Sequence, residues 1–220
     1  MGKQIKIALL IGMLALFSMA PPAYSFRTER SARDYDYNNA SAERQIARLR
    51  HIMQPLLQVT DRRMSIDDVR ISIVDDQAIN AASAGDGKYY VTRALLNQAT
   101  DEELRGVLAH EIAHEDLGHP AKAQLLGAGV GIGVSLLEQF FPGSSAVTPL
   151  AGSLITNGYT RPMELEADRH AVTLLERAGY SKQTMIDTLT WLERQDGDGG
   201  GILSSHPATS ERIQALRALH

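Results

Sequence analysis

The stretch His110-Glu111-Ile112-Ala113-His114 has the residue types and spacing for metal chemistry. On a helix, positions four apart share a face. His110 and His114 can therefore aim two ring nitrogens at one ion, as zinc requires. Glu111 is turned aside from that pair. It is better placed to take a proton from water than to bind the ion, the general-base role in zinc peptidases. A hydrolytic zinc site needs a third protein ligand and one open position. The metzincin pattern would put a glycine at 117 and a histidine at 120, and those positions hold Leu117 and Pro120. His119 misses that pattern by one residue and is expected to cap the helix or to lie at the surface.

Glu164 and Asp168 are also four apart. One could bind the ion while the other accepts a hydrogen bond from the far nitrogen of a ligand histidine. Equally, the two could be an acidic helix start favoured by the helix dipole. Glu166 has His170 rather than a carboxylate four residues on. It is expected to be solvated or paired elsewhere.

These residues must be positioned by a mostly helical chain. Thr100 with Glu103 forms a capping box ahead of a helix ending near Leu117, so the histidine pair sits inside a well-started helix. Leu104, Val107, Leu108 and Ile112 supply its buried face. Pro162 suits the first turn of a helix running to Gly179. Further helices are read from Ser41 to Leu57, Arg93 to Ala99, Ala121 to Phe141, Ser181 to Arg194, and Pro207 to Leu219. The stretch 141–158 reads as a linker or flap. Val69 to Val74 alternates and is β-branched, and Lys88 to Thr92 is a second strand beyond the Gly85-Asp86-Gly87 turn. Asn80 to Ser83 lies between them, and an edge strand near the helix could hold an extended peptide by main-chain hydrogen bonds. The fold class expected is α+β, mostly helical and zincin-like, with a small sheet.

The composition narrows the chemistry. The chain has no cysteine, so any metal must be held by histidine and carboxylate. Lys3 and Lys6 precede an apolar run from Ile7 to Met19, followed by Ala23-Tyr24-Ser25. This is the grammar of a secretory signal peptide over 1–25, cut before Phe26. Loss of the two lysines would lower the basic count from 22 to 20 against 26 acids, a formal charge of −6. Such a chain is not expected to bind nucleic acid. Residues 26–40 read as a loose polar leader and 41–220 as one domain.

Three motifs in order, HEIAH, RPMELEAD and SSHPATSERI, resemble the HtpX-like gluzincin zinc metallopeptidase family, whose small periplasmic members include BepA and LoiP. The resemblance runs from about Asp68 to His220. It implies a zinc-dependent endopeptidase with one zinc ion per chain, acting on exported, misfolded envelope proteins. Contact with an outer-membrane or envelope partner is part of the same expectation. It implies His110, His114 and Glu164 as metal ligands, Glu111 as the catalytic base, and Asp168 as the partner of a ligand. It implies for His206 an approach to the metal that restrains activity or stabilises the transition state, and for Arg212 a place lining the cleft. Pro162 departs from many relatives. A periplasmic chaperone or binding module with a non-catalytic zinc is the competing reading.

Overall fold

The computed structural model describes residues 25–127, 159–195, 201–206 and 209–219. All but the last residue of the signal peptide expected over 1–25, the stretch 128–158 and the loop 196–200 lie outside them. The chain divides into two compact units, Met1–Ala40 and Ser41–His220. In the first, the described part is helical backbone. The second holds all that follows.

Helix α1 spans Ser25–Leu57, so helical backbone begins ahead of Ser41, where the sequence placed its start, and covers the stretch read as a loose leader. In its second half Leu49, Ile52, Met53, Leu56 and Leu57 are buried on one face. Pro55 sits in the last turn. There it deprives the His51 carbonyl of its intrahelical donor, a loss confined to the end of the helix. A 3₁₀ turn, Ile66–Asp68, leads into β1, Arg70–Val74. Strands β2 (Ala81–Ser83) and β3 (Lys88–Thr92) complete a three-stranded sheet in the order β1-β3-β2. β1 runs parallel to β3, and β2 antiparallel to it.

Helix α2, Arg93–Gln98, is followed by α3, Asp101–Asp116. The capping box at Thr100 and Glu103 is present, and acidic side chains fill the first turn against the positive helix end. From Gly106 to Asp116 every residue of α3 is buried. This helix is the centre of the domain. Its flank against β2 is polar: Glu115 accepts hydrogen bonds from the Ser83 hydroxyl and the Gly87 amide. Asp116 accepts from the Asp61 and Arg62 amides and from His170 Nε2, tying α3 to the turn after α1.

Helix α3 ends at Gly118, whose φ of +69° is left-handed. The chain reverses there and begins α4, His119–Gly127. Pro120 therefore lies at the start of a helix that opens two residues before the expected Ala121. Helices α5 (Arg161–Arg177) and α6 (Lys182–Gln195) pack on α3. Pro162 occupies the first turn of α5, and Ser181 accepts from the Gln183 amide ahead of α6. A single turn, α7 (Ile202–Ser205), carries His206 at its end, and α8 spans Thr209–Arg217. The sequence reading contained neither α7 nor β2. The whole is the α+β, mostly helical, zincin-like arrangement.

Helix α6 lies close against α3 at Gly106, where a Cβ would overlap the Thr188 side chain, whose hydroxyl donates to the Thr184 carbonyl within α6. Gly106→Ala should destabilise the protein by about 1–3 kcal/mol through overpacking. Denaturant-unfolding midpoints measured with and without Thr188→Gly check this: the Thr188 Cβ itself would lie 2.6 Å from the new one, so Gly106→Ala should cost much less on the Thr188→Gly background.

Candidate metal centre

Helices α3 and α5 each present residues four apart to the other. His110 and His114 lie on one face of α3, and Glu164 and Asp168 on the facing side of α5. All four are buried, with His114 and Glu164 fully enclosed. His110 Nε2 and His114 Nε2 are 3.0 Å apart. Glu164 brings Oε2 to 3.4 Å from His110 Nε2 and Oε1 to 3.2 Å from His114 Nε2. His206 reaches the same point from the end of α7, with Nδ1 3.3 Å from His110 Nε2 and 2.8 Å from Glu164 Oε1.

A tetrahedral ion with ligands at about 2.0–2.1 Å holds its donor atoms about 3.3–3.4 Å apart. The four donors of His110, His114, Glu164 and His206 stand near that spacing and can hold one metal ion. Nitrogen and carboxylate donors without sulfur suit zinc. Glu164 Oε2 has no aligned hydrogen-bond donor, although Arg212 Nη1 lies 2.9 Å away. The Glu164 charge is balanced by Arg212, but Oε2 keeps a lone pair that a metal ion could take.

The electrostatics point the same way. Burial and the Arg212 charge push the His110 imidazole down, but the Glu164 and Asp168 carboxylates outweigh them and lift it to about 9. Burial pushes Glu164 up, yet His206 and His110 hold it far below the usual carboxylate range. His114, pushed down by burial and by the neighbouring His110, stays neutral with its lone pair available. The carboxylates thus demand positive charge where the imidazoles meet.

Around the four donors the remaining residues are tightly specified. Asp168 Oδ1 is 3.0 Å from His110 Nδ1. Arg212 donates through Nε and Nη2 to both oxygens of Asp168, each at 2.7 Å, and through Nη1 to the His206 carbonyl. Burial would raise Asp168, but this bidentate pair holds it down at about 2. Arg212 is 2% exposed and is drawn inward by its two ion-paired partners, Asp168 and Glu164. Glu111 accepts the Ser83 amide at Oε2, and its Oε1 makes no hydrogen bond among the described residues, with His206 Nε2 3.5 Å away. Burial raises its pKa, against the pull of His206 and His110. The Tyr159 ring stacks on His114 with centroids 3.8 Å apart. Its hydroxyl is buried without a partner among the described residues, and burial together with Glu111 and Glu164 keeps it protonated.

Residue 119 differs from its sequence reading, whereas Glu166 is partly solvated and paired as expected. His119 is fully buried, not at the surface. The left-handed turn at Gly118 folds it back onto His114, with the two Nδ1 atoms 2.9 Å apart. Glu166 is half exposed and meets His119 Nε2 at 3.2 Å. Glu166 and His170 form a second four-residue stripe on α5, facing His119 and Asp116. The spacing of 166 and 170 was visible in the sequence; their partners were not.

Residues 43–220 match the model of peptidase family M48. The metalloprotease YcaL of Escherichia coli (strain K12) is 29% identical over 151 residues, 63% of this chain and 57% of that protein. The metalloprotease LoiP of the same strain is 27% identical over 150 residues, 63% of this chain and 58% of that protein. A beta-barrel assembly-enhancing protease of Yersinia pestis is 30% identical over 160 residues, 66% of this chain and 33% of that protein. The matched region thus spans less than two thirds of each of these relatives.

Replacing Arg212 by alanine should leave Asp168 and Glu164 buried without their cation. The metal-free protein should lose about 3–5 kcal/mol. Chemical denaturation of the metal-free Arg212→Ala variant measures this, and an unchanged midpoint would mean that the clamp does not operate.

Proposed function

The chain belongs to peptidase family M48, and on that premise we propose that it is a zinc-dependent endopeptidase. The observation that carries this reading is the convergence of four buried donors with a carboxylate, Glu111, beside them. His110, His114 and Glu164 would hold the ion. When bound, zinc polarises a peptide carbonyl and acidifies a water molecule.

The chain's own residues do the rest. Glu111 Oε1, free of hydrogen bonds and raised by burial, takes a proton from the attacking water. The Ser83 amide holds Oε2 and so fixes the direction in which Oε1 points. The water oxygen bonds to the carbonyl carbon, the C–N bond breaks, and the proton passes from Glu111 to the leaving amine. The Tyr159 hydroxyl is a neutral donor for the developing oxyanion, and His206 is the other candidate. Arg212 acts through Asp168, which orients His110.

We place the protein after export, with a signal peptide over 1–25 and the catalytic unit over 41–220. Substrates would be unfolded or misfolded envelope proteins. The apolar leader and the name of the beta-barrel assembly-enhancing relative support this. Among the described residues no helix is long and apolar enough to cross a membrane.

Glu111→Gln should keep zinc and lose at least about a hundredfold in cleavage of an unfolded protein such as casein. Undiminished cleavage by this variant would sink the endopeptidase reading, and protective binding without cleavage in either form would favour a chaperone.

His206 fills the position that a catalytic zinc keeps open. As a removable fourth ligand it would hold the enzyme latent. His206→Ala should then raise basal proteolysis while zinc stays bound by the other three donors. Unchanged or lowered proteolysis would assign His206 a catalytic or structural role instead.

A further inference from the structure

His119 is fully buried and has no place in the chemistry described above, yet both its ring nitrogens are engaged. Nδ1 stands 2.9 Å from Nδ1 of His114, and Nε2 stands 3.2 Å from Oε2 of Glu166. The other nitrogen of His114, Nε2, faces His110 and Glu164. We propose that His119 and Glu166 are positioning residues for His114, a relay that fixes which of its ring nitrogens faces the metal.

The argument follows the protons. Two imidazole nitrogens facing one another at this distance share a single proton, since each otherwise presents only a lone pair. If His114 Nε2 gives its lone pair to a cation, its proton is on Nδ1. His114 Nδ1–H then donates to His119 Nδ1. That leaves the His119 proton on Nε2, where it donates to the Glu166 carboxylate. Every nitrogen is satisfied by this one set of tautomers. The opposite set would put a hydrogen on the nitrogen of His114 that faces the donor cluster.

The two histidines on α3 are therefore oriented by different devices. His110 Nδ1 meets the Asp168 carboxylate directly at 3.0 Å. His114 reaches a carboxylate through a second imidazole. The longer path ends at a half-exposed glutamate on the outer stripe of α5. Tyr159 stacked on the His114 ring leaves the in-plane relay as the contact that sets its tautomer.

This inference rests on the zinc reading of the centre, and the test separates the two. Zinc dissociation constants are measured by competition with a chromogenic chelator for the wild type, Glu164→Ala, His119→Leu, His119→Asn and Glu166→Ala. The visible absorption of the cobalt-substituted proteins and the melting of each metal-free protein are recorded alongside. His119→Leu should bind zinc about 10–100-fold more weakly than wild type, the usual cost of losing a partner of a ligand histidine. His119→Asn, whose carboxamide oxygen falls near the position of Nδ1, should restore most of that loss. Glu166→Ala alters a half-exposed side chain. It should weaken zinc binding several-fold with the metal-free melting unchanged, a result that packing alone would not produce. The relay is overturned if His119→Leu or Glu166→Ala binds zinc within about twofold of wild type, or if leucine and asparagine at 119 are equally weak. A wild-type protein that binds zinc no better than Glu164→Ala overturns the zinc reading itself.

Discussion

Glu164 is fully buried, and its two oxygens face the imidazoles of His110, His114 and His206 and the guanidinium of Arg212. Removing a carboxylate from water costs several kcal/mol unless charge and hydrogen bonds replace the solvent. Asp168 and Glu111 are buried beside it. Within this cluster the fixed cation is Arg212, and its fork is committed to Asp168. Positive charge is still needed where the imidazoles meet. In the absence of metal the Glu164 and Asp168 carboxylates favour a proton on His110, which supplies it. A divalent cation supplies it better, since it satisfies several lone pairs at once. The packing of α3, α5, α7 and α8 around one point expresses this single electrostatic requirement.

The helix that carries the donors also carries the ties that hold the fold together. Between Gly106 and Asp116 of α3 no residue is exposed, although several are charged. Glu111 accepts from the β2 backbone, Glu115 from the turn of the β2–β3 hairpin, and Asp116 from the loop after α1. Buried acids on one helix thus anchor the neighbouring elements by charge-assisted hydrogen bonds to their amides. The helix cannot rotate to relieve the cluster of Glu164 without breaking these ties. The sheet, small as it is, matters because one of its edge amides aims Glu111.

What could be read from the sequence was whatever depends on local periodicity and capping chemistry. His110 with His114, and Glu164 with Asp168, share faces because positions four apart always do. The capping box at Thr100 and the proline at 162 mark helix starts through local chemistry, and both stand in the structure. What could not be read depends on partners far along the chain. Ala81-Ala82-Ser83 has no branched or aromatic side chain, and pairing with Val91, Tyr90 and Tyr89 makes it a strand. His119 is buried because Gly118 turns left-handed, whereas the sequence presents Gly118 and Pro120 only as a stop. Arg212 is inside because Asp168 and Glu164 are there to receive it.

The four donors are not held with equal force. Three lie on α3 and α5, long helices whose displacement would uncouple Asp168, Arg212 and the ties of Glu115 and Asp116. His206 instead follows a single turn of helix. Its segment is held by main-chain bonds from Ile202 to the Ile79 carbonyl and from Tyr159 to the Ser205 carbonyl, and by the hydrogen bond from Arg212 to its own carbonyl. Each is worth about 0.5–1.5 kcal/mol net, or somewhat more where the donor is charged. Withdrawing His206 exchanges a few such bonds for bonds to water, whereas withdrawing Glu164 would strand a buried charge. The donor that can leave at least cost is thus the one whose departure would open the coordination position that hydrolysis needs.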